Sequence, residues 1–221
     1  MNFSEIESFV QQRLGGDNSG HDAFHCYRMK TTALKISQNE PSCDQVVVVC
    51  ASLLHDIPDV KICNDVKQAK TDIINLLIKI QISENQINHI MSIIDSLSFK
   101  GAGVDTTMPT IEGKIVQDAD RLDAIGAIGV GRCFAYGGHV GHLMHDPNQK
   151  PIMHQSEEDY RKMKSTSISH FYEKLLLLKD RMQTETGKKI AEKRHKFLEA
   201  FLSQFLDEWD GKDIDEIMST S

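Results

Sequence analysis

The apolar positions of the chain recur mainly every three or four residues, which is the period of an amphipathic α-helix. This spacing predicts helices over residues 3–14, 21–36, 66–80, 87–94, 111–124, 125–136, 157–181 and 188–209. The segment Ser83-Glu84-Asn85-Gln86 matches a capping box and marks the start of the fourth of them. A break is expected in the seventh, near residues 165–167. The predicted fold class is therefore all-α, in a single helical domain.

The four consecutive valines at 46–49 resemble a strand when they are considered alone. The apolar run continues through Leu53 and Leu54, and Ser42 or Asp44 can cap a helix ahead of it. A helix that is buried on most sides accounts for this length better than a strand does. Pro58 disfavours helical geometry at the residue before it, so His55 and Asp56 are predicted in the last helical turn.

Two segments lack a regular period. Residues 98–110 are predicted to form a loop, and residues 137–154, rich in Gly, Pro and His, form the longest irregular stretch and a candidate lid. The last helix is strongly amphipathic. Its apolar face is formed by Phe197, Leu198, Phe201, Leu202, Phe205, Leu206 and Trp209. We expect the domain to span residues 1–210 and residues 211–221 to form a flexible tail.

Composition narrows the possible classes of protein. The chain has 221 residues, 40% of them hydrophobic and 26% charged, which is ordinary for a globular domain. Neither a signal peptide nor an apolar stretch long enough to cross a membrane is recognised. Five cysteines without a Cys-x-x-Cys pair favour reduced thiols and a cytoplasmic location. The formal net charge of −7 argues against a nucleic-acid polymer as partner, but a local positive field can still bind a small anion.

The pair His55-Asp56 carries the clearest chemical signal. Burying two polar groups side by side costs several kcal/mol unless something satisfies both of them. A divalent cation does so, because an imidazole nitrogen and a carboxylate oxygen can both bind it. Further ligands can come from elsewhere in the chain. The available side chains are His21, His25, Asp118, Asp120 and Asp123.

Together with the pair His55-Asp56, two of these side chains suggest a metal site. The four proposed ligands are His25, His55, Asp56 and Asp120. Mixed nitrogen and oxygen ligands favour one divalent ion, Mn²⁺ by preference, with Mg²⁺, Co²⁺, Fe²⁺ or Ni²⁺ as alternatives. A His-Asp pair also arises by chance, and the aspartates could form a solvated helix face. On a helix, His21 and His25 would share one face, with Arg28 a turn further along.

Three ordered motifs resemble those of the HD-domain metal-dependent phosphohydrolases. They are Gly20-His21-Asp22-x-x-His25-x-x-Arg28, His55-Asp56-x-x-Asp59 and Asp118-Ala119-Asp120-Arg121-Leu122-Asp123-Ala124. The segments 124–129, 136–138 and 170–175 are similar to a bacterial subgroup associated with nucleoside triphosphate pyrophosphohydrolysis. The resemblance implies an all-α fold and places the metal ligands at His25, His55, Asp56 and Asp120. Pro58-Asp59 stands where the guanosine tetraphosphate hydrolase branch has a Glu-Asp pair.

The resemblance implies hydrolysis of a phosphoric anhydride or ester by a metal-activated water. In that reaction Asp59 would orient the water or carry a proton, and His21 would serve as an acid or support a ligand. Arg28 would bind phosphate through its guanidinium, and His170 and Lys174 would reach the substrate. Asp118 and Asp123 are expected to hold Arg121 or to cap neighbouring groups. The loop residues His139, His142 and His145 fit a lid or a surface loop better than a second metal site.

The preferred activity is hydrolysis of (deoxy)nucleoside triphosphates to monophosphate and pyrophosphate, with a small nucleotide as the only partner. Three alternatives stay open at this point. They are a 5′-nucleotidase or other phosphomonoesterase, a non-catalytic nucleotide sensor, and a structural helical scaffold. The oligomeric state is open as well.

Overall fold

The computed structural model describes residues 3–60, 63–153, 156, 158–159 and 165–219. In these ranges every regular element is helical, which confirms the predicted all-α class. The α-helices are α1 (Ser4–Leu14), α2 (Ala23–Ser37), α3 (Gln45–Leu54), α4 (Val66–Lys79), α5 (Glu84–Ser96), α6 (Ile111–Asp123), α7 (Gly126–His139), α8 (Ser167–Glu173), α9 (Glu185–Asp210) and α10 (Lys212–Ser219). Two short 3-10 helices, Leu175–Leu177 and Lys179–Arg181, follow α8. Within the part of the chain described, no helix has the length and apolar character needed to cross a membrane.

Helix α3 lies at the centre of the fold and packs against α1, α2, α5 and α6. All residues from 47 to 54 are buried, so this part of the helix has no exposed polar face, and Ser52 is its one polar residue. Asp44 caps it, because its Oδ1 accepts hydrogen bonds from the backbone N–H groups of Val46 at 2.9 Å and Val47 at 3.3 Å. The valine run is therefore helical, as predicted, and His55 forms the C-cap.

Helix α2 begins later than the sequence predicted. Asp22 is its N-cap, with extended backbone angles and a carboxylate that accepts a hydrogen bond from the His25 N–H at 2.8 Å. His21 therefore lies before the helix, and the prediction that His21 and His25 share one helical face is wrong. The turn still brings the two imidazole rings close, with centroids 6.4 Å apart.

Turn and loop signals place two further elements correctly. Ser83 and Gln86 form the predicted capping box at the start of α5. Residues 98–110 are irregular, as predicted. Arg181 holds this loop by donating hydrogen bonds to the backbone carbonyls of Ala102 and of Val104, the latter at 3.2 Å.

The glycine- and histidine-rich segment starts later than the sequence predicted. Helix α7 continues through Gly137 to His139, so the predicted loop boundary at Gly137 is wrong. A Cβ on Gly137 would lie 2.3 Å from Ser167 Oγ, so this glycine allows α7 and α8 to approach closely. The irregular segment is described over 140–153, and His154, its predicted end, lies outside the described residues. Its Leu143 carbonyl accepts a hydrogen bond from Ser167 N–H at 3.0 Å.

The helix predicted over 157–181 falls partly on residues 157 and 160–164, which lie outside those described. Past them, α8 covers only seven residues and the chain continues in the two 3-10 helices. The expected break near 165–167 corresponds to the start of α8, where Thr166 caps Ser169 N–H at 3.0 Å.

The last long helix, α9, runs for 26 residues from its cap Thr184. Phe201 and Phe205 on its apolar face pack against Phe134 of α7, with ring centroids 5.9 and 6.0 Å apart. Gly211 ends α9 with a left-handed φ of 72°. Residues 212–219, for which we expected a flexible tail, form α10.

Candidate metal centre

Three central helices bring the proposed ligands together. His25 is in the first turn of α2, and His55 and Asp56 follow directly after α3. Asp120 lies on α6, which packs against both of these helices. The side chains of His25, His55 and Asp56 are 1%, 5% and 8% exposed. The sequence therefore places imidazoles and a carboxylate inside the core, where polar groups are costly unless they are paired.

The three buried side chains converge on one point. The Nε2 atoms of His25 and His55 lie 3.2 Å apart. Asp56 contributes both carboxylate oxygens, with Oδ1 2.9 Å from His55 Nε2 and Oδ2 3.5 Å from His25 Nε2. Each residue offers one ligand atom, and these atoms lie within 4.8 Å of one another. This geometry suits a single cation.

Hydrogen bonds on the far side of each ring fix which nitrogen faces the centre. His25 Nδ1 lies 2.7 Å from an Asp123 oxygen, and His55 Nδ1 lies 3.1 Å from the Ser52 carbonyl oxygen. A carboxylate and a carbonyl only accept hydrogen bonds, so both Nδ1 atoms carry the hydrogen. In the neutral rings the two Nε2 lone pairs then point at each other. A cation between them removes this repulsion.

A second observation supports the same fit. Asp56 Oδ2 is a buried oxygen without a hydrogen-bond partner among the described residues. Such an atom costs free energy unless another group satisfies it. Two imidazole nitrogens and an unsatisfied carboxylate oxygen form a donor set that suits a divalent ion such as Mn²⁺ or Fe²⁺. The residues present therefore fit a metal.

In this centre a proton and a metal cation compete for the same nitrogen, His55 Nε2. Burial lowers the pKa of His55, but the Asp56 carboxylate outweighs burial and raises this pKa well above its usual value. Burial conversely raises the pKa of Asp56, and His55 outweighs it and holds that pKa well below its usual range. A metal ion must therefore displace a proton that the Asp56 carboxylate stabilises on His55.

Asp120, the fourth predicted ligand, lies at the open side of the group. Its Oδ1 is 3.5 Å from His25 Nε2, and its side chain is 32% exposed. The other three ligand candidates are buried, so Asp120 is the most solvent-exposed side chain of the four. Its role as a ligand stays a prediction.

The two neighbouring aspartates have different partners. Asp118 accepts hydrogen bonds from the N–H and the hydroxyl of Thr184, both at 2.7 Å, and so holds the residue that caps α9. Asp123 does not hold Arg121. Its carboxylate pairs with His25, Arg28 and Arg132, while Arg121 donates to the Arg181 carbonyl and to Thr106. Burial opposes ionisation of Asp123, but hydrogen bonds from His25 and Arg28 hold its pKa well below the usual range.

The predicted substrate residues occupy different surroundings. Arg28 is paired with Asp123 through Nε and Nη2, both at 2.9 Å, and its side chain is 35% exposed. Lys174 follows α8, with Nζ 5.5 Å from the centroid of the Phe99 ring. Burial lowers the pKa of Lys174, and nearby Asp120 opposes that shift. Asp120 and Lys174 are therefore close enough to interact electrostatically.

The remaining predicted residues lie in turns or on α8. Asp59 follows Asp56 in the turn after α3, and its N–H donates to the Asp56 carbonyl at 3.1 Å. His21 packs edge-on against Tyr136, with ring centroids 5.6 Å apart. His170 is half-buried on α8 and lies one turn before Lys174. The roles of these side chains in catalysis stay predictions.

Sequence reasoning missed Arg132, which connects α7 to the centre through Asp123. The only signal near it was the glycine spacing of α7, which does not point to an arginine. The loop histidines do not form a ligand group within the described residues. His145 instead packs against Trp209, with ring centroids 4.9 Å apart.

The chain is similar to several known proteins. A family model of the HD domain matches residues 23–125, which include His25, His55, Asp56 and Asp120. YpgQ from Bacillus subtilis (strain 168) is 35% identical to the chain over 201 residues, which are 90% of each protein. The crystal structure of YpgQ in complex with ADP superposes with a TM-score of 0.73 at 33% identity, covering 94% of this chain and 97% of YpgQ.

Two further crystal structures are similar. A protein from Lactobacillus plantarum shares 36% identity and a TM-score of 0.86, over 95% of this chain and 97% of that one. An HD-superfamily hydrolase from Bacillus thuringiensis shares 38% identity and a TM-score of 0.71, over 94% of this chain and 96% of that one. These similarities extend over nearly the whole chain, and the family model spans the positions of His25, His55 and Asp56. The chain therefore belongs to the HD-domain family and is an HD-superfamily hydrolase of the metal-dependent phosphohydrolase kind.

Proposed function

We propose that the protein hydrolyses nucleoside triphosphates, or their deoxy forms, to a nucleoside monophosphate and pyrophosphate. The observation that carries this proposal is the convergence of His25, His55 and Asp56 on one buried point beside the more open Asp120. Support for a nucleotide comes from the similarity to YpgQ, whose crystal structure is a complex with ADP. We propose that the enzyme acts in the cytoplasm, where its five thiols, all free in the structure, stay reduced.

The metal would be held by His25, His55, Asp56 and Asp120. Two carboxylates balance the charge of a divalent ion, and we prefer Mn²⁺, with Mg²⁺, Co²⁺, Fe²⁺ and Ni²⁺ as alternatives. When bound, such an ion lowers the pKa of a water from about 15.7 toward ~7 and polarises a phosphoryl oxygen. Asp123 and the Ser52 carbonyl hold the two imidazoles in the tautomer that leaves Nε2 free to bind.

Binding of the phosphate chain is assigned to Lys174, Arg28 and His170. Lys174 is the strongest of the three candidates, because burial disfavours its charge and Asp120 is the carboxylate that acts on it. An anionic phosphate near Nζ would compensate for that burial. Arg28 is committed on one edge to Asp123, so it would contact phosphate with the rest of its guanidinium.

Asp59 and His21 are assigned the proton transfers. The water oxygen attacks the α-phosphorus, and Asp59 orients this water and takes its proton. The bond between the α-phosphorus and the α–β bridging oxygen breaks, and pyrophosphate leaves. His21 donates a proton to the departing oxygen. Asp59 suits its role because the turn after α3 holds it near Asp56. The Asp59 N–H donates a hydrogen bond to the Asp56 carbonyl at 3.1 Å.

The test is a substrate panel. Ribo- and deoxyribonucleoside tri-, di- and monophosphates are incubated with the protein and Mn²⁺, and the products are identified by chromatography and phosphorus NMR. Monophosphate together with pyrophosphate is the expected result. Matched reactions with EDTA and with Asp56→Ala supply the controls, and neither should form product.

Other results would indicate a different function. Nucleoside plus phosphate from monophosphates would identify a 5′-nucleotidase or another phosphomonoesterase. Tight nucleotide binding without turnover, unchanged by EDTA, would identify a nucleotide sensor. If EDTA changes neither activity nor the melting temperature and the protein binds no nucleotide, the chain is a helical scaffold.

A further inference from the structure

Asp123 is the most highly bonded carboxylate beside the metal centre. It is the last residue of α6, and its side chain is 7% exposed. Its Oδ2 lies 2.7 Å from His25 Nδ1, 2.9 Å from Arg28 Nη2 and 3.2 Å from Arg132 Nη1. Its Oδ1 accepts from Arg28 Nε at 2.9 Å. Three of these four hydrogen bonds end on Oδ2, so that oxygen is fully committed to its protein partners.

Arg132 connects this carboxylate to a third part of the fold. Its Nε donates to the Gly20 carbonyl at 2.8 Å, while its Nη1 donates to Asp123. Gly20 has a left-handed φ of +92°, and a Cβ there would lie 3.4 Å from Arg132 Cβ. The arginine stem thus packs directly on the turn that precedes α2. One guanidinium, on a side chain 16% exposed, fixes the end of α6 and the turn before α2 to α7.

We propose that Asp123 and Arg132 are positioning residues that set the affinity of the centre for its cation. Together these two residues form the Asp123 clasp. Asp123 holds the Nδ1 hydrogen of His25 and so directs Nε2 toward His55 and Asp56. Arg132 orients the Asp123 carboxylate through Nη1 and holds the turn at Gly20 beside it through Nε. Partners of this kind raise the basicity of a ligand imidazole and fix its orientation.

The inference rests on the metal centre of the proposed function but not on the identity of the nucleotide. A phosphate-binding role is the main competing explanation for a half-buried arginine in this place. The two nitrogens of Arg132 that form hydrogen bonds both point at protein oxygens, which favours positioning. Arg194 of α9 offers a matched control. It is also partly buried and donates to the Leu122 carbonyl next to Asp123, but its hydrogen bond is to the backbone and not to that carboxylate.

The experiment measures Mn²⁺ binding to the metal-free full chain by titration calorimetry. The variants are Arg132→Lys, which keeps the charge and loses the two-pronged geometry, Asp123→Asn, which keeps the shape, and Arg194→Lys. We expect Arg132→Lys and Asp123→Asn to weaken Mn²⁺ binding by about 10–100-fold. Arg194→Lys should bind Mn²⁺ like the wild type. At saturating Mn²⁺, Arg132→Lys should recover kcat and keep the wild-type KM for nucleotide.

A second measurement distinguishes a change at His25 from a general loss of the fold. Nitrogen-15 NMR of the metal-free protein reports the His25 tautomer, and Asp123→Asn should shift it away from the Nδ1–H form. Equal weakening of Mn²⁺ binding in Arg132→Lys and Arg194→Lys would overturn the clasp in favour of general packing. A raised nucleotide KM with unchanged Mn²⁺ affinity would overturn it in favour of phosphate binding.

The wild type separates failure of the clasp from failure of the centre. If the wild type binds Mn²⁺ and both clasp variants bind it equally well, only the clasp is overturned. If the wild type binds no Mn²⁺, the proposed metal centre fails and the clasp fails with it.

Discussion

His25 and His55 are 30 positions apart in the chain, and their Nε2 atoms meet at 3.2 Å in the core. Each ring uses its other nitrogen to donate a hydrogen bond, to Asp123 and to the Ser52 carbonyl. Two imidazole nitrogens this close need a positive charge between them, either the proton that Asp56 stabilises on His55 or a bound cation.

Removing one ligand should remove the metal. In Asp56→Ala, and likewise in His55→Ala, we expect loss of bound Mn²⁺ and loss of activity, measured by elemental analysis and product assay. Metal that binds only the folded state stabilises the wild type by about 2.7 kcal/mol at 100 times its dissociation constant. Thermal unfolding with and without Mn²⁺ should therefore show a shift in the wild type and none in the variants. Asp180→Ala, at a side chain 81% exposed, should behave like the wild type.

Asp59→Asn should separate chemistry from metal binding. The amide cannot accept the proton of the attacking water, so we expect kcat to fall by about 10²–10⁴-fold. The Mn²⁺ content should stay at the wild-type level, because Asp59 is not among the ligands. Full activity of the variant would exclude the proton-transfer role.

The affinity for Mn²⁺ should rise with pH. The Asp56 carboxylate overcomes burial and raises the pKa of His55 well above 6.5. In the metal-free protein this protonation contributes stability that is fully present below the unfolded pKa and is lost as the pH rises through the folded pKa. Metal must displace the same proton, so binding weakens as the pH falls, by about tenfold per unit for one proton.

Calorimetry between pH 6 and 9, in buffers with different ionisation enthalpies, measures both the affinity and the protons released. An affinity that stays constant over this range would contradict the prediction. The metal-free protein should in turn lose some stability as the pH rises, in urea unfolding over the same interval.

Asp118 and Asp120 should give opposite results although they are two positions apart. Asp118→Ala leaves buried donors of Gln183 and Thr184 without partners, so we expect a loss of about 1–3 kcal/mol in the free energy of unfolding and unchanged Mn²⁺ affinity. Asp120→Ala should weaken Mn²⁺ binding and change the stability of the metal-free protein little, because its side chain is 32% exposed. Urea unfolding and calorimetry on both variants decide this. A loss of metal affinity in Asp118→Ala alone would reverse the assignment.

Much of the framework followed from local sequence signals. Asp44 before the valine run and the capping box at Ser83 act within one helical turn, so the residues alone locate them. The meeting of His25 with His55-Asp56 was predictable because buried polar groups must find partners. The family resemblance then supplied the order of the motifs.

Other features depended on contacts that no local pattern records. Asp22 accepts a hydrogen bond from the His25 N–H and so caps α2. His21 therefore lies before the helix, although both histidines fit a helical spacing. For Arg28 the sequence predicted a phosphate contact, and the structure adds a partner that was not predicted, Asp123, 95 positions away. Arg132 reaches the same carboxylate from a glycine-rich helix. A long arginine side chain can reach several partners. Which one it binds depends on residues that are distant in the sequence and adjacent only in the folded chain.

The packing of His145 on Trp209 gives the protein an intrinsic optical probe. The chain has a single tryptophan, so its emission reports one place only, where the 140–153 segment touches α9. That segment is also bonded to the start of α8, three residues before His170. If the segment rearranges when nucleotide binds, the wavelength or intensity of this emission should change. Stopped-flow fluorescence can measure the rate of that change without an added label.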